Sequence, residues 1–427
     1  MSAPKAPEPP SPGTADRPAP NLKSRRGVFW WVALALTLTF MGPNVPTPLY
    51  VRYQHQFGFS ASVLTLVFAV YAVALLGALL FFGSASDDVG RRTVMAAAIL
   101  LGVASSVVFI LASDVAMLFV ARALSGLSAG IVTGAAAAAL SELAPPAMRT
   151  RVGVVTTLAT MGGLALAPLL SGILSQYALH PTKLVYIVYI ALLIIAAIGV
   201  YLAPETVLSR RRPTVRFAGL GVAAAYRPEF IAAGIAAFCS FTLLGLFAAL
   251  APSFLIGTLH QNSAAVAGLI VFLIFAMACV AEVLFRGLRY RTAMIAGFPL
   301  LVAGLWVIVF GLSSASLPIF IVGTVVGGAG VGLVYGASLA KANRIAPPAH
   351  RSQVISTYFV AANLGLIIPV IAVGVASQHI GDFRATLICA AAITALVIFA
   401  LSNIARTHDA SDTTAAPAGP PIGGTHG

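Results

Sequence analysis

Long apolar runs with almost no charge divide this chain, and that pattern constrains every other reading. A helix of about 20 mostly apolar residues crosses the ~30 Å hydrocarbon layer of a bilayer. Runs of that kind occupy residues 27–51, 53–86, 93–113, 115–141, 152–182 and 184–204. Residues 230–281 and 292–340 are each long enough for two spans, divided near 258–262 and 313–316, and 352–381 and 385–405 complete the set. The expectation is an all-α membrane protein with 12 transmembrane helices arranged six and six. Composition agrees, because only 9% of residues are charged against about 25% in a soluble domain. With 59% hydrophobic residues and a mean hydropathy of +0.97, a soluble enzyme, a disordered scaffold and a nucleic-acid-binding domain are excluded.

The net charge of +13 invites comparison with phosphate binders, but the basic residues sit in short connectors between apolar runs. Of 25 Lys and Arg residues, 21 fall in the tails and even-numbered loops, three (Arg52, Lys183 and Arg384) in odd-numbered loops, and Arg122 within a span. Cytoplasmic loops carry such an excess, so both termini are expected in the cytoplasm and the protein in the cell membrane. Residues 1–26 hold seven prolines and no apolar core, which reads as a disordered cytoplasmic tail without a signal peptide. Residues 407–427 read as a second such tail, and 205–228 as a basic linker between a first half, 27–204, and a second, 229–406. Cys239, Cys279 and Cys389 all lie in apolar runs and have no metal-ligand spacing, so they are expected to be packing residues.

The halves are related to each other. An offset of 202 residues places Gly126, Gly130 and Gly134 on Gly328, Gly332 and Gly336, Pro145-Pro146-Ala147 on Pro347-Pro348-Ala349, and Arg149 on Arg351. Span four thus corresponds to span ten. Glycines at i, i+4 and i+8 share one helix face and permit close helix contact. The match fails at Glu142, which meets Arg344, and around Asp87, which meets the stretch Arg286-Gly287-Leu288-Arg289.

Between spans two and three the sequence reads Gly83-Ser84-Ala85-Ser86-Asp87-Asp88-Val89-Gly90-Arg91-Arg92. In that position it resembles the signature of the major facilitator superfamily, and the resemblance extends over residues 27–406. Ala85 and Asp88 depart from the pattern, where the family prefers Leu and often has Arg. The resemblance implies a latch, with Asp87 at the positive amino terminus of span eleven and Arg91 paired with Glu142. Glu142 belongs to a further family-like stretch, Glu142-x-x-Pro145-x-x-x-Arg149. Arg122, about eight residues inside the outer end of span four, is costly in hydrocarbon and should face the interior. With Gly126 it resembles a span-four motif implicated in proton relay or anionic contact. Gly163-x-x-x-Ala167-Pro168-x-x-Ser171-Gly172 is similar to the motif of the family's drug/proton antiporters, with Ala167 and Ser171 in place of glycines.

These features lead to a secondary active transporter working by alternating access, with proton-coupled efflux of amphiphilic drug-like molecules as the first reading. The resemblance implies that spans one, four, seven and ten line a central cavity, to which Asn44, Arg122, Phe247 and Tyr335 are assigned. The expected partners are a small-molecule substrate, protons and the lipid bilayer, with no nucleic acid, in a monomer. No Walker loop, metal cluster or nucleophile–base spacing is present, so neither enzyme activity nor a cofactor is expected. Glu282 is the one carboxylate placed inside a span, and pairing with Arg286 or Arg289 is its expected role. Two alternatives stand: proton-coupled uptake of a small metabolite or sugar, and a non-transporting receptor or assembly partner.

Overall fold

A computed structural model describes residues 22–83, 85–205, 207, 219–347 and 350–414, a few side chains among them excepted. Of the tails and linker expected at 1–26, 205–228 and 407–427, residues 22–26, 205, 207, 219–228 and 407–414 are described, and 22–26 and 407–414 are helical where disordered tails were expected; the rest lies outside the described residues. Twelve long helices form the body: α1 (Leu22–Met41), α2 (Ala61–Phe82), α3 (Arg91–Leu111), α4 (Val115–Leu143), α5 (Val152–Tyr177) and α6 (Pro181–Leu202) in the first half. The second half contains α7 (Arg227–Gly257), α8 (Ala264–Phe285), α9 (Tyr290–Ser313), α10 (Leu317–Ile345), α11 (Arg351–Ile380) and α12 (Asp382–Thr414). Among the described residues, eleven helices are long and apolar enough to cross a membrane, and the apolar part of α1, Arg26–Met41, is shorter.

The first two apolar runs are divided differently from the hydropathy reading. Pro43, Pro46 and Pro48 lack the N–H that would continue α1, so the chain leaves the helix at Met41 and passes through a short 3-10 turn, Thr47–Leu49. A helix of eight residues, Tyr50–Phe57, follows. It stops at Gly58, whose φ of +66° is left-handed and suits glycine. Ser60 then caps α2 by accepting from the amide of Val63 at 3.4 Å. Irregular backbone at membrane depth is tolerated only when buried in protein or lining a cavity, and residues 43–50 are all buried.

Glycine faces set the helix pairs, and they do so twice. On α4, Gly126 and Gly130 lie against α2, where a Cβ on Gly130 would fall 2.6 Å from the Leu75 carbonyl oxygen. On α10, Gly328 lies against α8 in the same way, its Cβ 2.7 Å from the Ile274 carbonyl oxygen. The repeat seen in sequence is therefore a repeat of packing. Within the second half, the backbones of Gly304 on α9 and Gly327 on α10 abut. No flexible side chain lies between them to yield. Gly304→Val is expected to destabilise the protein by about 1–3 kcal/mol through overpacking, seen as a lower melting temperature in detergent.

Candidate functional site

Among the described residues, Arg122 is the largest fully buried side chain. Its Nη1 donates to the Pro43 carbonyl at 2.6 Å, using backbone that the prolines free from helix bonding. The guanidinium also lies 4.5 Å from the Tyr71 ring centroid and 5.1 Å from that of Phe68, a cation–π arrangement that partly replaces hydration. Nε and Nη2 have no hydrogen-bond partner among the described residues. On the next residue of the chain, Asn44 Nδ2 donates to the Leu164 carbonyl of α5 at 2.8 Å. Broken α1, α4 and α5 thus meet at one buried polar cluster.

Phe247 and Tyr335 are placed elsewhere. Phe247 packs 5.7 Å from Phe320 within the second half. Tyr335 lies between Phe241 and Tyr358, whose centroids are 5.5 and 6.5 Å away. With Asn44, Arg122, Phe247 and Tyr335 all no more than 8% exposed, the four do not share an open cavity in this conformation. Other aromatic rings pack against Phe247 and Tyr335.

At the end that carries most Lys and Arg, termed the basic end, Arg91 gathers several carboxylates. Its Nη2 is 3.1 Å from Glu142 Oε1, and it also pairs with Asp87. Its own amide donates to Glu205 Oε1 at 2.9 Å. Gly90 makes that approach possible. It has φ +110°, and a Cβ there would fall 2.8 Å from the Glu205 carboxyl carbon. Arg92 stacks 4.5 Å over the Tyr201 ring, and Arg149 is exposed. Asp87 is 60% exposed where it meets Arg91. Its expected seat at the amino terminus of α11 adjoins 348–349, which lie outside the described residues. Glu205 was not found from sequence, since nothing in a charge count indicates that the chain returns from α6 to cover Gly90.

The two halves meet along α5–α8 and α2–α11. Away from the basic end the α5–α8 seam is shut by backbone. A Cβ on Gly172 would lie 2.6 Å from the Ala264 carbonyl oxygen, and Gly268 lies directly against the Pro168 carbonyl. The Ala264 amide donates to Gln176 Oε1 across the same seam at 2.9 Å. Gly163, earlier on α5, serves α1 instead, its Cβ position 3.0 Å from the Phe40 Cβ. Toward the basic end a side-chain bond bridges α5 and α8, with Thr157 Oγ1 donating to Glu282 Oε1 at 3.0 Å. Glu282 therefore bonds across the halves, where an ion pair with Arg286 or Arg289 was expected.

The Major Facilitator Superfamily model matches residues 32–288 and 233–422. The chain is 28% identical over 188 residues to the MFS-type transporter traF of Penicillium crustosum, covering 44% of this chain and 39% of that one. It is 31% identical over 153 residues to the puromycin resistance protein pur8 of Streptomyces alboniger, covering 35% of this chain and 30% of that one. The matched region thus spans less than half of either relative. Among solved structures, the nucleoside transporter NupG superposes with a TM-score of 0.69 at 14% identity, covering 88% of this chain and 99% of that one. A bacterial homolog of the human lysosomal transporter Spinster, inward-facing and occupied, gives 0.65 at 16% identity over 91% and 97%. With the family model matched along nearly the whole chain and the same fold in these structures, this multi-pass membrane protein belongs to the major facilitator superfamily.

Proposed function

We propose that this protein is a secondary active transporter that exports amphiphilic, drug-like molecules in exchange for protons. The observation that carries the reading is the unequal seam between the halves. At one end glycine backbones interlock, and at the other a hydroxyl–carboxylate bond spans the gap. Such a seam can part at the basic end without disturbing the other, which is one half of an alternating-access cycle. Positive-inside placement makes the basic end cytoplasmic. Glu282 supplies the coupling group in this scheme. Protonating it turns the charge-assisted bond from Thr157 into a neutral one, roughly half as strong, and loosens the cytoplasmic end of the seam. Drug-like cargo is supported by similarity to the puromycin resistance protein.

The test is accumulation of a fluorescent lipophilic cation in cells with the wild-type protein, Glu282→Gln or neither, with and without a protonophore. Lower dye in wild-type cells alone, restored by the protonophore, is the expected result. Glu282→Gln cells are expected to match the empty control. Equal dye in all three, with the protein verified in the membrane, would sink drug efflux and move a screen for metabolite uptake to the front. If that screen is also silent, a receptor role takes its place.

A further inference from the structure

The two halves differ most where the repeat predicts that they should agree. In the first half, the crevice between α2, α3 and α4 at the basic end is neutralised by the chain's own carboxylates, with Asp87 and Glu142 on Arg91 and Glu205 on its amide. The corresponding crevice between α8, α9 and α10 is an open cavity of about 390 Å³, within the usual range for ligand clefts of about 300–1,000 Å³. Arg286, Arg289, Lys341 and Arg344 line it. Arg289 stands where Asp87 would be, and Arg344 where Glu142 would be.

Local acids do not balance this charge. Glu229 pairs with Lys341, and Glu282, on the cavity wall, bonds to Thr157. Arg286, Arg289 and Arg344 make no ion pair among the described residues, and the Tyr290 hydroxyl, on the same wall, has no hydrogen-bond partner there. Guanidinium forks match the paired oxygens of a phosphate. Two apolar side chains of the lining are well exposed, Phe285 at 48% and Leu288 at 39%.

We propose that this cavity binds the phosphodiester headgroup of an anionic membrane lipid, whose acyl chains leave past Phe285 and Leu288. Basic pockets between membrane helices recognise such headgroups. The lipid supplies from outside the counter-charge that the first half carries in its own sequence. Glu282 is shared with the seam, but headgroup binding by Arg286, Arg289 and Arg344 does not require transport.

The full-length protein, purified in detergent, is titrated with phosphatidylglycerol, phosphatidylcholine or inorganic phosphate. Bound lipid is read by native mass spectrometry and stability by the thermal midpoint. Phosphatidylglycerol is expected to be retained and to raise the midpoint, while the other two do neither. The pair Arg289→Gln/Arg344→Gln should retain it about 30-fold less, from two basic contacts removed. Arg151→Gln, a basic change at the same end of the first half, should retain it normally. Arg344→Glu restores the first-half pattern and should fold stably while losing the lipid preference. It also serves if the double variant does not fold. Equal retention by wild type and Arg344→Glu overturns the site. A midpoint shift from inorganic phosphate equal to that from phosphatidylglycerol overturns the lipid as its occupant.

Discussion

Under the proposed export of lipophilic cations, Arg122→Ala is expected to reduce efflux by about tenfold or more at equal abundance in the membrane, without lowering the thermal midpoint. The two halves of that expectation have different causes. A hydrogen bond to a charged group contributes about 1.5–3 kcal/mol, and the bond from Arg122 to the Pro43 carbonyl ties α4 to the broken end of α1. Any step of the cycle that depends on this tie slows by roughly ten- to a hundredfold when it is lost. Stability behaves otherwise, because a buried cation without a carboxylate partner is itself costly and its removal relieves that cost. A packing role predicts the reverse pattern, a lower midpoint with transport following it. Arg122→Lys keeps the charge but not the planar fork that stacks on Tyr71 while reaching Pro43, so its efflux should also fall. Full transport by Arg122→Ala would remove this residue from the mechanism.

Gly268→Val is expected to bring transport to background by holding the α5–α8 seam apart at the end remote from the basic loops. A Cβ at Gly268 would be 3.1 Å from the Gly172 Cα and would press on the Pro168 carbonyl. Both obstacles are backbone, so relief requires the helices to move. The stability cost is about 1–3 kcal/mol, small beside the loss of a closed state. Gly162→Val is the matched control, because its Cβ position has nothing within 4 Å. Accessibility gives a direct readout. Ser175 on α5 is fully buried, and the three native cysteines are buried as well. A Ser175→Cys protein should resist a membrane-impermeant maleimide, and adding Gly268→Val should expose the thiol to it. Continued protection alongside full transport would show that the seam tolerates the wedge.

Much of this architecture is legible in the one-dimensional pattern because its causes are local. A charge-free run long enough to cross hydrocarbon must become a helix, since no other open structure satisfies its backbone there. The offset match of Gly126 and Gly130 to Gly328 and Gly332 likewise reports a packing face that each helix carries in its own sequence. Loss of Asp87 and Glu142 equivalents in the second half could be read the same way, though not the open cavity that results. Where the prolines at 43, 46 and 48 sit was visible, but hydropathy counts them as apolar and so continued the first span through them.

The remaining features depend on which faces meet, and that is a property of the assembled bundle. Thr157 and Glu282 lie 125 residues apart and Arg91 and Glu205 lie 114 apart, with no periodic signal linking either pair. Arg122 could be placed inside the membrane from its cost in lipid, yet its partner is a backbone carbonyl, which no side-chain pattern records. Phe247 and Tyr335 were assigned to a cavity by the helices that carry them. Packing turned both into neighbours of other aromatic rings. Hydrophobicity and charge thus decided which segments cross the bilayer and at which end the basic loops gather. Only close packing between distant helices decided which buried polar groups bond across the halves and which crevice stays open.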